Sequence, residues 1–98
     1  MSLPVILRPI AEADVVDIFG DLEAIRAGLG KRFITQLRDI LERIELMPEL
    51  YGLVWQDVRA VRLRKFRYVV FYIVRTDRVE VLAVLHSSRD ASTWQSRI

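Results

Sequence analysis

The side chains best suited to chemistry lie in one basic segment and just beyond it. Five basic residues fall within nine positions with no acidic residue among them, and a further arginine follows near the end of the chain. They are Arg59, Arg62, Arg64, Lys65, Arg67 and Arg89. Because the guanidinium fork fits phosphate and carboxylate groups, we expect this set to bind a nucleic acid or an acidic protein. The plainer explanation is a solvated strand face protected by charge.

His86, the only histidine, is the second candidate. Imidazole side chains in general suit acid or base catalysis near neutral pH, and Arg89 close by in the sequence is able to steady a phosphate. A single histidine at the end of a strand is more often structural. Ser87 and Ser88 lack the glycine elbow and the partner residues that a nucleophilic serine needs, so serine chemistry is not predicted.

Several classes of site are excluded by composition. The chain has no cysteine, no cluster of residues with metal-ligand spacing and no glycine-rich phosphate loop, so we expect no cofactor and no metal. The absence of cysteine is typical of proteins in a reducing cytoplasm. No apolar run is long enough to cross a membrane and no signal peptide is recognisable, so a cytoplasmic protein is expected.

Length and charge describe one domain with two unlike halves. The 98 residues predict a single domain over residues 1–98. Residues 1–50 carry six basic and nine acidic side chains, whereas residues 51–98 carry nine and four. A hydrophobic content of 52% is high for so small a domain, which suggests that a partner covers part of the surface.

The first half has the pattern of a strand and a helical hairpin. Residues 4–8 predict a short strand that Pro9 ends. Apolar residues then recur at helical spacing from Ala11 to Ile25 and again from Phe33 to Ile44, with a glycine turn at residues 28–30 between them. Gly20, inside the first helix, suggests a close packing contact. After Pro48, a connector follows in which Tyr51 and Trp55 are expected to pack against the hairpin.

The second half changes to a strand pattern. Residues 58–65 alternate, which predicts Val61 and Leu63 on one face and Arg62 and Arg64 on the other. Two apolar runs, residues 68–74 and 79–85, predict two further strands in a meander. The expected fold is α+β, a helical hairpin packed on a small antiparallel sheet in the order β-α-α-β-β-β.

Two of these segments, Arg59 to Tyr72 and Val81 to Asp90, resemble the ParE/RelE superfamily of toxins from bacterial toxin-antitoxin pairs. Members usually have Phe-Pro-Tyr where this chain has Phe66-Arg67-Tyr68. Three upstream segments look like the ParE-like branch, which includes plasmid stabilisation proteins. They are Ala11-Glu12-Ala13-Asp14, Gly30-Lys31-Arg32-Phe33 and Met47-Pro48-Glu49-Leu50-Tyr51.

The resemblance implies a toxin of a type II toxin-antitoxin system, but the branches differ in target. RelE-like members cleave mRNA in the ribosome with basic residues of the sheet, and Arg62, His86 and Arg89 would be the matching residues here. They carry an arginine just after the central-strand tyrosine, where this chain has Val69. Characterised ParE-like members lack that catalytic set and inhibit DNA gyrase by binding it. Since losing a charged transition-state contact commonly costs about 10²-fold or more in rate, the resemblance favours a gyrase inhibitor that is not an enzyme.

Two alternatives stay open on the sequence. The first is a ribosome-dependent mRNA endonuclease, and the second is a non-toxic module that only binds an antitoxin. In all three cases the expected partner is a cognate antitoxin protein, with which the chain would form a hetero-oligomer that covers apolar surface on the hairpin and the sheet.

Overall fold

The computed structural model describes residues 2–98, which form two long helices, a five-stranded sheet and a short C-terminal helix. In chain order the elements are β1 (Val5–Leu7), α1 (Pro9–Ile25), α2 (Leu29–Leu46), β2 (Leu53–Trp55), β3 (Val58–Arg62), β4 (Tyr68–Val74), β5 (Val79–His86) and α3 (Ala91–Gln95). The strands lie side by side in the order β1-β5-β4-β3-β2. None of the helices in the described range has the length and apolar character needed to cross a membrane.

The predicted α+β class and the helical hairpin are confirmed, with three differences of detail. Strand β1 pairs with β5 in parallel, so the sheet is mixed rather than antiparallel throughout. Strand β2 and helix α3 were not predicted. Trp55 does not pack against the hairpin; its ring meets Trp94 edge-on, with centroids 6.1 Å apart.

A glycine turn and one carboxylate set the angle of the helical hairpin. Gly28 adopts a φ of 89°, a left-handed conformation that side chains disfavour. The Glu23 carboxylate accepts hydrogen bonds from the backbone N–H groups of Gly28 (3.1 Å) and Gly30 (2.7 Å), which satisfies two free donors at the start of α2. These backbone hydrogen bonds, that of Gly28 first, lower the pKa of Glu23. A Cβ at Gly30 would lie 2.8 Å from the Phe19 carbonyl oxygen, so glycine is needed there.

The sheet has two faces with separate cores. The helical face, covered by α1 and α2, carries the larger core, in which Phe33 packs edge-on against Phe66 and Tyr68. The opposite face, called the far face below, carries a smaller core closed by Trp94 of α3. The Trp94 ring stacks on Phe71 with centroids 4.6 Å apart. Successive residues of a strand alternate between the two faces, except where bulges in β2 and β5 interrupt the alternation.

Candidate functional site

Strand pairing collects most of the predicted basic residues at one end of the sheet. Arg62 pairs with Val69 at the end of β3, and the backbone N–H of Ser87 donates to the carbonyl of Arg67 at 2.7 Å. The turn from β3 to β4 and the turn that follows β5 therefore lie together. We call this the basic end, formed by Arg62, Arg64, Lys65, Arg67 and Arg89, all of which are exposed.

Arg59, the sixth predicted residue, is engaged within the protein. Its Nη1 donates to the carbonyl of Tyr51 at 2.7 Å and to that of Glu49 at 3.4 Å. These bonds hold the connector between α2 and β2 against β3. Arg59 thus lies away from the basic end, with its guanidinium committed to backbone oxygens.

Arg62 and Arg64 were predicted to lie on the same face of one strand, and this prediction is wrong. Strand β3 ends at Arg62, so the alternation stops there. Arg64 instead lines a small pocket of about 70 Å³ on α2, together with Asp39 and Arg43. The backbone N–H of the next residue, Lys65, donates to a side chain of α2 at 3.3 Å, which holds the turn against that helix.

His86 lies on the helical face, at the mouth of a cleft between α1 and β5. The cleft has a volume of about 280 Å³ and is lined by both polar and apolar side chains. His86 Nδ1 lies 3.1 Å from the backbone N of Ser88 and 2.7 Å from the Ser88 hydroxyl oxygen, so the turn after β5 holds one edge of the ring. Its ring meets Tyr68 edge-on at 5.6 Å. Burial, followed by the nearby charge of Asp21, raises the pKa of Tyr68.

The three residues proposed for a nuclease are not brought together on one face. Arg62 pairs with Val69, whereas His86 pairs with Tyr68, the neighbouring residue on the same strand. Neighbouring residues of a strand point to opposite faces, so Arg62 lies on the far face and His86 on the helical face. Only His86 and Arg89 line the same cleft.

Sequence reasoning missed the ion pair that closes the other side of this cleft. Asp14 Oδ2 accepts from Arg97 Nη1 at 2.6 Å and from the backbone N–H of Val84 at 3.0 Å. Arg97 also donates to the carbonyl of Leu82 at 3.2 Å. Asp14 and Arg97 are 83 positions apart, so no local pattern indicates the contact. Asp17 and Asp21 extend the acidic lining at helical spacing, a signal that was present in the sequence.

A metal site finds no support in residues 2–98. No group of three or more histidine, cysteine, aspartate or glutamate side chains there is placed to hold an ion.

Comparison with known proteins gives matches of two different kinds. The family model described as the ParE toxin of the type II toxin-antitoxin system parDE matches residues 5–91. Among solved structures, a chain from the chromosomal ParDE toxin-antitoxin system of P. aeruginosa superposes with a TM-score of 0.65. It is 13% identical in sequence, and the match covers 87% of this chain and 96% of that one. No curated protein matches the sequence.

Proposed function

The chain belongs to the ParE toxin family of type II toxin-antitoxin systems, and on that basis we propose that it inhibits DNA gyrase by binding it, without catalysing a reaction. In this proposal it acts in the cytoplasm, traps gyrase on cleaved DNA and is neutralised by a cognate antitoxin. Its basic end is the part that meets the target.

The strongest support for a binding role is the separation of Arg62 from His86. A nuclease must hold its acid, its base and its phosphate-stabilising cation around one scissile phosphate. Here the strand pairing puts Arg62 on the far face and His86 on the helical face.

The residue that follows Tyr68 also supports a binding role. The nuclease branch carries an arginine there, whereas this chain has Val69, which is 8% exposed and next to Arg62 in the sheet. A buried valine offers no charge to a phosphorane, and loss of one such contact commonly costs about 10²-fold in rate.

The basic end has cations free to meet a target. None of its five side chains forms an ion pair with a carboxylate in residues 2–98. Unpaired arginines and lysines on a surface attract phosphates and acidic side chains and speed association with them. DNA held in gyrase, or an acidic surface of gyrase itself, has the matching chemistry.

A supercoiling assay tests the gyrase target. We expect the purified protein to inhibit purified gyrase and the cognate antitoxin to reverse the inhibition. Arg89→Ala should need about tenfold more protein for the same inhibition, because it removes a free cation from the basic end. Arg38→Ala removes an exposed arginine from α2 and should behave as the wild type. Gyrase that remains fully active at saturating wild-type protein would overturn the proposal.

Two further measurements separate the alternatives. Cleavage of mRNA in a translation extract, lost in His86→Ala, would replace the gyrase proposal with a ribosome-dependent nuclease. Induction without the antitoxin that leaves cell growth unchanged would instead indicate a non-toxic, antitoxin-binding module. Growth arrest with intact mRNA is the outcome that the gyrase proposal requires.

A further inference from the structure

The segments that form the basic end carry charge without exposed apolar side chains. Eleven large apolar side chains are exposed in residues 2–98, and none of them lies between positions 56 and 97, the stretch that contains all five cations. Stable contacts between proteins are built around aromatic or aliphatic side chains that become buried at the centre of the interface. Contacts with a nucleic acid are instead dominated by cations that face phosphates. The composition of the basic end therefore favours a nucleic acid over an acidic protein.

The aromatic rings at the basic end face inward. Phe66 and Tyr68 pack edge-on against Phe33 of α2, at centroid distances of 5.9 and 5.5 Å. The His86 ring meets Tyr68 edge-on, and it is partly buried like the other two. Proteins that bind single strands stack the unpaired bases on exposed aromatic rings. The described residues of the basic end offer no such platform, so they suit a duplex, whose bases are already stacked.

Three neighbouring strands of the sheet spread the cations of the basic end. Strand β3 ends at Arg62, β4 begins just after Arg67, and β5 ends shortly before Arg89. The backbone N–H of Leu63 donates to the carbonyl of Tyr68 at 3.0 Å, which closes the hairpin beside Arg62. Adjacent strands lie about 4.8 Å apart, so the backbones that carry the three arginines span about 10 Å. Duplex DNA carries a negative charge about every 1.7 Å along its axis, so a row of this width faces several phosphates at once.

Carboxylates beside the basic end restrict the direction from which DNA approaches. Asp17 and Asp21 of α1 are exposed and line the cleft on the helical face that Arg89 also borders. Asp90 is exposed as well, but its carboxylate is committed to capping α3. The two carboxylates of α1 repel phosphates from the helical face, whereas Arg62 lies on the far face. A duplex is therefore best placed on the far-face side of the basic end.

Arg64 lies on the other side of the basic end from Arg62. It lines the small pocket on α2, which belongs to the helical side, and Asp39 is the carboxylate of that pocket. A duplex on the far-face side passes closer to Arg62 than to Arg64. The two arginines, only two positions apart in the sequence, thus form a matched pair for testing the direction of approach.

We propose that the basic end binds the phosphate backbone of duplex DNA directly, from the far-face side and without reading the base sequence. This inference deepens the proposed function and rests on it: the DNA that gyrase holds, and not an acidic surface of the enzyme, is what the basic end meets. Arg62, Arg67 and Arg89 face phosphates, and Arg64 contributes less. Contacts to phosphates fix the position of a protein on DNA but carry no sequence information.

Binding to DNA alone tests this contact. The purified protein is titrated into a fluorescently labelled duplex of mixed sequence, without gyrase, and the anisotropy gives the dissociation constant at salt concentrations between about 50 and 200 mM. Each phosphate contact contributes about −0.9 to the slope of log affinity against log salt concentration, so about three contacts predict a slope of about −3. The affinity should therefore fall by about 50-fold across this range. Duplexes of unrelated sequence should bind equally, within about twofold.

Matched alanine variants locate the contact. Arg62→Ala should weaken binding at low salt by about three- to tenfold and make the slope less steep by about 1, because one phosphate contact is lost. Arg64→Ala should weaken binding by less than about twofold. Arg38→Ala removes an exposed arginine from α2 outside the basic end, and should leave the affinity and the slope unchanged. All three side chains are exposed, and unchanged melting temperatures would verify that the variants fold.

The variants and two kinds of competitor each give an outcome that would overturn the proposal. Equal losses in Arg62→Ala and Arg38→Ala would show that only the overall charge matters, and equal losses in Arg62→Ala and Arg64→Ala would contradict the far-face approach. Polyglutamate that displaces the labelled duplex as well as unlabelled duplex does, at equal charge, would assign the surface to an acidic protein. Single-stranded DNA or duplex RNA that binds about tenfold tighter than duplex DNA would assign it to that nucleic acid.

A supercoiling assay on the same preparations separates this inference from the proposed function. We expect Arg62→Ala to lose gyrase inhibition by about the same factor as it loses DNA affinity, and Arg38→Ala to lose neither. Wild-type protein that inhibits gyrase but does not bind the duplex at about 50 mM salt would overturn the DNA contact and leave the proposed function intact. Wild-type protein that binds DNA while gyrase stays fully active would remove the proposed function and leave the DNA site standing.

Discussion

Helices of 17 and 18 residues cover the helical face of the sheet, whereas a helix of 5 residues covers the far face. On the helical face, Phe33, Ile44, Val70 and Tyr72 are almost completely buried. On the far face, the closing contact is a single ring, that of Trp94 on Phe71. An isolated helix as short as α3 is unstable in water, so its place depends on the groups that anchor it.

The anchors of α3 are few and identifiable. Asp90 accepts from the backbone N–H of Ser92 at 2.9 Å and caps the helix, and this bond lowers the pKa of its carboxyl group. Arg97 pairs with Asp14 of α1, and the Arg97 carbonyl accepts from Arg8. We therefore expect the helical face to supply most of the stability. The far face instead borders the exposed Arg62 and the segment that carries Arg89.

The largest effect is expected from the helical face. Phe33→Ala removes a fully buried ring that links α2 to Phe66 and Tyr68, and should lower the free energy of unfolding by about 3–5 kcal/mol. Denaturant unfolding measures this. Ile25→Ala, at a site that is 73% exposed, is the matched control and should change stability by no more than about 0.5 kcal/mol. If Phe33→Ala does not fold, Phe33→Leu should show a smaller decrease in the free energy of unfolding.

A smaller effect is expected from the far face. Trp94→Ala should cost about 1–3 kcal/mol, below the cost for a buried central aromatic residue, because the chain end can detach without unfolding the rest. Limited proteolysis should cut within residues 91–98 of this variant before global unfolding. A loss as large as that of Phe33→Ala, with no early cleavage, would show that the two faces are equally essential.

The elements predicted correctly are those whose signal is local. Periodicity indicated α1 and α2, because each buries one face that its own spacing defines, and uninterrupted apolar runs indicated β4 and β5, which are covered on both faces. Helix α3 has a polar sequence of five residues, Ala91–Gln95, with no period to detect. It is placed by Trp94, whose stacking partner lies more than twenty positions away. The parallel pairing of β1 likewise depends on strands far apart in the chain.

The clustering of basic residues was predicted, but not their arrangement. Their concentration in the second half was recognisable from charge alone, whereas the separation of Arg62 and His86 depends on strand register. A shift of one residue exchanges the faces, and a bulge at Leu82 makes such a shift in β5. The close packing contact predicted at Gly20 was wrong for the same reason. A Cβ added at Gly20 would have no side chain or distant backbone atom within 4 Å, whereas one added at Gly30 would lie 2.8 Å from Phe19.

Lowering the pH should give the smallest of the stability effects that distinguish the two faces. Glu80 pairs with Ile73 of the far-face core in the strand register, and its carboxylate binds Arg8 and Arg78. The hydrogen bond from Arg8, followed by that from Arg78, lowers the pKa of Glu80 below its ordinary value of 4.5. A carboxyl group with a lowered pKa stabilises the fold above that ordinary value, and the contribution disappears as the pH falls through the folded-state pKa.

We therefore expect Glu80→Gln to melt at a lower temperature than the wild type at pH 7, by an amount equivalent to less than about 1 kcal/mol, because its arginines are partly exposed. The difference should shrink as the pH falls below 4.5. Since Arg8 also donates to the carbonyl of Arg97, acid should lower the hydrogen-exchange protection factors of residues 91–98, corrected for the intrinsic rate at each pH, before it lowers those of the core around Phe33. Glu42→Gln, at an exposed site on α2, controls for the loss of one charge. Parallel melting curves for Glu80→Gln and the wild type across this range would show that acid does not act through Glu80.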